Sequence, residues 1–168
     1  LGGGSTEFVL GTEDGVQAAR SGNIGCVRLT ERHMASAPAT SDQIQRVEAD
    51  TDAAIDTVLQ SVPLEKATRA VAVAGTATTI AAAALGLKTY DSEAINGSSI
   101  SVDTVQKTAE MLRSMTRGER AALGYMHPGR VDVIGAGATI YARIMTRLRE
   151  ITEGNIDSVT VSEHELLD

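Results

Sequence analysis

Residues 1–11 read LGGGSTEFVLG, and the fold turns on what the three glycines feed into. Gly2, Gly3 and Gly4 carry no Cβ to hold a phosphate away from their N–H groups. Consecutive amides of this kind can form an anion nest, and the hydroxyls of Ser5 and Thr6 add donors. No Gly-Lys-Ser/Thr follows, so this is not a Walker loop. Glu7 occupies the place of a third glycine, and a strand pattern follows where a dinucleotide fingerprint needs a helix. GGGS is also the composition of a flexible tether. TEFVLG counts against that reading, but on this segment alone the two stand level.

Working outward, STEFVLG reads as a strand, TEDG as a turn carrying Asp14-Gly15, and VQAARSG as the returning strand. A second turn at Ser21-Gly22-Asn23 leads into IGCVRLTERH, where Val27 and Leu29 alternate with Cys26, Arg28 and Thr30. That period predicts a third strand and an antiparallel meander.

The pattern then changes. Thr40 with Gln43 forms a capping box, and Ile44, Val47, Thr51, Ile55, Val58 and Leu59 recur at helical spacing. RAVAVAG is a short apolar run, expected as a strand buried on both faces, with a helix leaving at TATTIAAAALGL. INGSSI reads as a turn, Ser101 caps a helix over SVDTVQKTAEMLRSM, and Thr116 with Glu119 opens another. RVDVIGAGATIYARIMTRLREI fits strand-then-turn or helix, and SVTVSE alternates like a strand. The order predicts one α/β domain over residues 1–168, with a mixed sheet that begins as a three-stranded meander.

Composition narrows the function. Phe8, Tyr90, Tyr125 and Tyr141 are the only aromatics, too few to stack single-stranded nucleic acid, and a net charge of -7 opposes backbone binding of nucleic acid. Cys26 stands alone, so no intrachain disulfide forms, and it reads as a packing residue. No stretch approaches the ~20 apolar residues of a membrane span. Together these predict a cytoplasmic protein with neither nucleic-acid nor membrane partners.

A second anion site is expected at Gly75 and Thr76, where a strand meets a helix among hydroxyls and free N–H groups offer partial positive charge. An ordinary capped helix is the plainer alternative. Glu7 follows the first loop and can serve as a general base or face a cation, unless it is only an exposed strand residue. Arg28 and Arg32, four apart on the expected strand, share a face that draws in anions or simply stays solvated. GAGA at 135–138 suits close helix packing, and His127 and His164 read as structural or exposed.

Taken in order, GGGSTEFV, GCVRLTERH, VAVAGTATTIAA, MTRGERAAL and RVDVIGAGATI resemble the exopolyphosphatase / guanosine-pentaphosphate phosphohydrolase (Ppx/GppA) family across essentially the whole chain. The resemblance implies a ribonuclease H-like domain of the actin/heat-shock-70/sugar-kinase superfamily, with helices on both faces of the sheet. It implies hydrolytic release of a terminal phosphoryl group from polyphosphate or guanosine pentaphosphate, assisted by Mg²⁺. In that family an Asp precedes the glycine loop and a first domain lies upstream. The chain is therefore expected to be the second domain of two, cut at both ends and inactive alone, with the N-terminal domain of the same protein as partner.

By the same match, Gly2, Gly3, Gly4, Ser5 and Thr6 form the second phosphate loop, Glu7 is the acidic residue that positions water or metal, and Gly75 and Thr76 lie near the phosphate chain. The ambiguous segment becomes a helix from about Arg130. The metal ligands stay undefined, and a homodimer is carried as a further partner. A kinase-like phosphotransferase and a non-catalytic phosphate-sensing domain are the alternative functions.

Overall fold

A computed structural model describes residues 1–164. Strand β1 (Thr6–Thr12) pairs antiparallel with β2 (Gly15–Gly22) through the expected tight turn. Gly15 takes φ +111° there, and the Asp14 N–H is held by the Thr12 hydroxyl at 3.2 Å. A register shift between Leu10 and Gly11 bends β1.

The third strand of the expected meander is a helix. Residues Cys26–His33 form α1, so β1 and β2 make a two-stranded sheet of their own. Two facts override the alternation. Cys26 and Leu29, three apart, are both buried, which is a helical face. The first amides of α1 also find ready acceptors in the glycine loop. Arg28 and Arg32 consequently share a helical face, not a strand face.

α2 (Ser41–Leu59) starts at the predicted box, with both reciprocal bonds between Thr40 and Gln43 formed. β3 is shorter and more open than predicted: it covers only Val71–Ala72, and Val71 is 48% exposed. α3 (Gly75–Ala84) follows at once, then a single turn, α4 (Ser92–Ile95). The stretch read as a turn contains a strand, β4 (Ser99–Ser101), before α5 (Val102–Ser114), which Ser101 caps. α6 (Arg117–Ala121) carries the second predicted capping box, Thr116 with Glu119. A 3₁₀ turn at Pro128–Arg130 precedes α7 (Ile134–Ile151), so the ambiguous segment is helical, four residues later than expected.

β5 (Ser158–Val161) is the middle strand of a mixed sheet, parallel to β3 and antiparallel to β4. α7 is the spine of the domain. Its Ala138, Tyr141 and Met145 enter the core beneath α3, α5 and β5, while Ile140 and Ile144 enter a second core with α1, α2 and Phe8 of β1. The GAGA segment serves close packing, since a Cβ at Gly137 would stand 2.8 Å from the Thr76 hydroxyl and 3.2 Å from Cys26 Cβ. α2 is clamped to α7 by Asp52, which takes paired bonds from Arg143 at 2.8 Å each and a third from Arg147 at 3.2 Å. No helix among the described residues is long and apolar enough to cross a membrane.

Candidate active site

The glycine loop is folded against the start of α1. The Gly2 N–H closes a turn onto the Ser5 carbonyl at 2.9 Å. The Gly2 carbonyl accepts from Cys26 N–H, and the Gly3 carbonyl accepts from Val27 and Arg28 N–H, each at 3.0 Å. Arg28 Nε donates to the Gly4 carbonyl at 2.8 Å. The loop thus spends its carbonyls on α1, whose cap residue Gly25 offers no side chain for the purpose. Among the described residues the N–H groups of Gly3, Gly4 and Ser5 have no acceptor. Gly25 is what allows the approach: a Cβ there would lie 2.3 Å from the Gly3 carbonyl oxygen.

Thr6 and Glu7 divide the roles given to them. Thr6 is buried and its hydroxyl donates to the Ile24 carbonyl at 2.7 Å, so it fixes the base of the loop. Glu7 is exposed, and its Oε1 accepts from the hydroxyls of Ser5 at 3.2 Å and Ser21 at 2.8 Å. Its Oε2 receives no bond from the described residues. Arg32 is not a free cation, because its Nη1 lies 2.9 Å from Asp50 Oδ2, which His33 also meets at 2.8 Å. Burial pushes the Asp50 carboxyl up, but the bonds from His33 and Arg32 together bring it below its ordinary value.

At the second expected anion site, Gly75 and Thr76, the chain enters a helix through an unusual backbone turn. Ala74 leads into α3 with φ 77° and ψ −179°, a conformation that ordinarily needs glycine. α3 has no side-chain cap, and the hydroxyls of Thr78 and Thr79 turn inward to the Gly75 carbonyl at 3.2 and 2.7 Å. The first amides of α3 are therefore left unpaired by side chains. Thr76 is buried against Gly137 on α7. Over Gly75 lies Arg130, so close that a Cβ at 75 would stand 1.8 Å from its Nη2. Arg130 forms no ion pair among the described residues.

Gly3 and Gly75 face one cleft of about 790 Å³, shared with Arg130, His127, Tyr90, Tyr125 and Glu163. The other named loop residues, Gly2, Gly4, Ser5, Thr6, Glu7 and Thr76, do not line it. Buried Cys26 joins the lining next to Gly3. His127 is part of the cleft, and its Nδ1 accepts the Gly129 N–H at 3.0 Å, so the neutral ring carries its proton on Nε2. His164 is exposed, as expected. The Tyr90 hydroxyl donates to Glu163 Oε1. Burial raises the Tyr90 hydroxyl above its ordinary pKa, and Glu163 adds to the rise, while Thr78 and Arg130 act against it.

Sequence reasoning did not single out Arg130, Tyr90, Glu163 or Gly25. For Arg130 a signal existed: HPGR is a turn that puts an arginine just before a buried helix. Tyr90 and Glu163 meet only in three dimensions, 73 residues apart.

A profile of the Ppx/GppA phosphatase family matches residues 1–168. The chain belongs to that family. It is 45% identical over 168 residues to exopolyphosphatase 2 of Mycobacterium tuberculosis, covering all of this chain and 52% of that protein. It is 29% identical over 170 residues to a bifunctional 3-dehydroquinate synthase/phosphatase of Fusobacterium nucleatum, covering 99% of this chain and 24% of the other. The chain spans about half the length of the mycobacterial relative.

Among solved structures, an exopolyphosphatase-like protein superposes with a TM-score of 0.95 at 41% identity, over 99% of this chain and 55% of the other. The Ppx/GppA member from Aquifex aeolicus superposes at 0.76 with 28% identity, over 96% of this chain and 50% of that one. These likenesses give the chain the actin-like type of α/β fold. Its two-stranded hairpin and mixed sheet are the form that fold takes here.

Proposed function

We propose that this chain forms one half of a phosphoanhydride hydrolase that removes the terminal phosphate of inorganic polyphosphate. The observation that carries the reading is that Gly3 and Gly75, whose N–H groups have no acceptor among the described residues, line one cleft beside Arg130. Amides and a guanidinium bind phosphate oxygens without the net positive charge this chain lacks. The name of the mycobacterial relative supports polyphosphate as the substrate.

In the reaction, the Gly3 amide holds one phosphoryl group while Arg130 and the first turn of α3 neutralise its neighbour. Glu7, exposed outside this chain's cleft lining and braced by Ser5 and Ser21 on Oε1, would use Oε2 to orient water in line with a terminal phosphorus held where the other domain completes the site. The water oxygen bonds to phosphorus as the bridging P–O bond breaks. The shortened chain leaves with that electron pair, and Glu7 takes the water's proton.

Mg²⁺ requires only one or two carboxylates beside waters and substrate phosphates, a demand Glu7 Oε2 suits. When bound it supplies charge neutralisation at the scissile phosphate. No three potential metal-ligating side chains converge among the described residues, so a full protein cage does not form from them. On this reading the remaining cleft wall and a further acid come from another domain of a full-length protein, of which this chain is the second domain. Alone it should be inactive, and its place of work should be the cytoplasm.

Guanosine pentaphosphate is a second substrate that one observation favours: the rings of Tyr90 and Tyr125 line the cleft, where bare polyphosphate needs no ring. The test is phosphate release with Mg²⁺ from each substrate, by this chain and by a full-length protein. Only the full-length protein should turn over, and Glu7→Gln should lower its kcat by ~10²–10⁴-fold with KM little changed. Glu7-dependent turnover by the chain alone would falsify the half-site reading. Full activity in Glu7→Gln would remove Glu7 from the chemistry.

A further inference from the structure

Glu163 raises a question the phosphate reading does not answer, namely why a carboxylate lines a cleft meant for anions. It shares that cleft with Arg130, the cation over Gly75 that makes no ion pair among the described residues, and the two do not pair with each other. Glu163 is instead held from two sides. Its Oε1 accepts the Tyr90 hydroxyl, and its own N–H donates to Asn96 Oδ1 at 3.0 Å. Tyr90 is bonded to Glu163, lines the same cleft, and has its hydroxyl acted on electrostatically by Arg130.

We propose that Tyr90 is a positioning residue that restrains Glu163, so that Arg130 stays open to a phosphoryl group and is not neutralised from within. The inference rests on the phosphate reading of the cleft for its consequence, but not for its geometry. A carboxylate released in the same cleft as a guanidinium can swing to pair with it, since the charge-assisted bidentate bond is among the strongest a protein makes. An unrestrained Glu163 would thus act as a built-in competitor of the ligand. Removing only the Tyr90 hydroxyl leaves the ring packing and releases the carboxylate.

The experiment compares the protein with Tyr90→Phe, Glu163→Gln and the double variant, reading the Arg130 Nε–H resonance without ligand and then the affinity for tripolyphosphate. In Tyr90→Phe the Arg130 signal should move to a carboxylate-bonded position and the affinity should fall by about tenfold. Glu163→Gln should bind at least as well as the unaltered protein. The double variant should recover both the original resonance and the original affinity, an outcome that mere loss of packing at Tyr90 does not produce. An unmoved Arg130 signal in Tyr90→Phe, or a double variant as weak as Tyr90→Phe, overturns the proposal. If the resonance moves and returns as stated while the unaltered protein binds no tripolyphosphate, the restraint stands and the phosphate reading of the cleft falls.

Discussion

Arg130 lies across the α carbon of Gly75, its Nη2 filling the space where a side chain at 75 would begin, 1.8 Å from the Cβ position. A cation and the positive end of a helix are thereby brought together, and among the described residues no carboxylate forms an ion pair with Arg130. On the proposed function, a bound anion would relieve this crowding of positive charge.

Gly75→Ala tests that contact. The methyl group must displace a flexible guanidinium, so stability should change by no more than about 0.5 kcal/mol, helped by alanine's better helix propensity. Affinity for tripolyphosphate, followed by calorimetry, should fall about tenfold as Arg130 is pushed aside. Unchanged affinity would mean that Arg130 does not contact the ligand from this position.

Gly25→Ala should be far more damaging. Here the obstacle is backbone: the new Cβ would meet the Gly3 carbonyl oxygen at 2.3 Å and the Gly4 carbonyl carbon at 2.6 Å. The loop must leave α1, which costs about 1–3 kcal/mol in urea unfolding and disorders the amides of Gly3 and Gly4. A stable variant with an intact phosphate affinity would contradict the docking.

Ala74→Gly should stabilise. Ala74 holds φ 77° with ψ −179°, a strain of about 1–3 kcal/mol, against which glycine adds about 0.4–1 kcal/mol of unfolded-state entropy. A net gain near 1 kcal/mol is expected in denaturant melts, with the phosphate affinity retained. A loss of stability would contradict the strain.

Asp52 supplies the pH test. The bonds from Arg143, aided by the one from Arg147, outweigh burial and hold its carboxyl below the ordinary value. A depressed folded pKa stabilises fully above the unfolded pKa of about 3.9 and loses that contribution as pH falls through the folded value. Asp52→Asn should therefore cost about 1–2 kcal/mol at pH 7, and the difference from the unaltered protein should shrink below about pH 4. A constant difference across that range would remove Asp52 from the acid transition.

Much of this fold is legible in the sequence because local signals and burial agree. Thr40 and Gln43, or Thr116 and Glu119, state a helix start in their own side chains, and the structure completes both boxes. Residues 26–33 misled because Val27 and Leu29 alternate with polar neighbours, whereas the helix depends on acceptors supplied by Gly2 and Gly3, 24 positions away in the case of Cys26 and Gly2. β3 and β4 are two and three residues long, too short for any periodicity to register.

The site divides in the same way. Glycines beside hydroxyls mark Gly3 and Gly75 as places of close approach, and both reach the cleft. Whether a hydroxyl points to a ligand or into the protein is a tertiary fact, so Thr6 and Thr76 could not be separated from Ser5 by sequence. Arg130 and Glu163 enter the cleft from opposite ends of α7 and its following strand, which no local pattern encodes.

The most direct measurement is an amide NMR titration of this chain with tripolyphosphate. If the cleft is one phosphate site, the N–H resonances of Gly3, Gly4 and Ser5 should shift together with those of Gly75 and Thr76, saturating at a single apparent Kd. Movement confined to one of the two sets, or to neither, would contradict a single cleft in which both loops hold the phosphate chain.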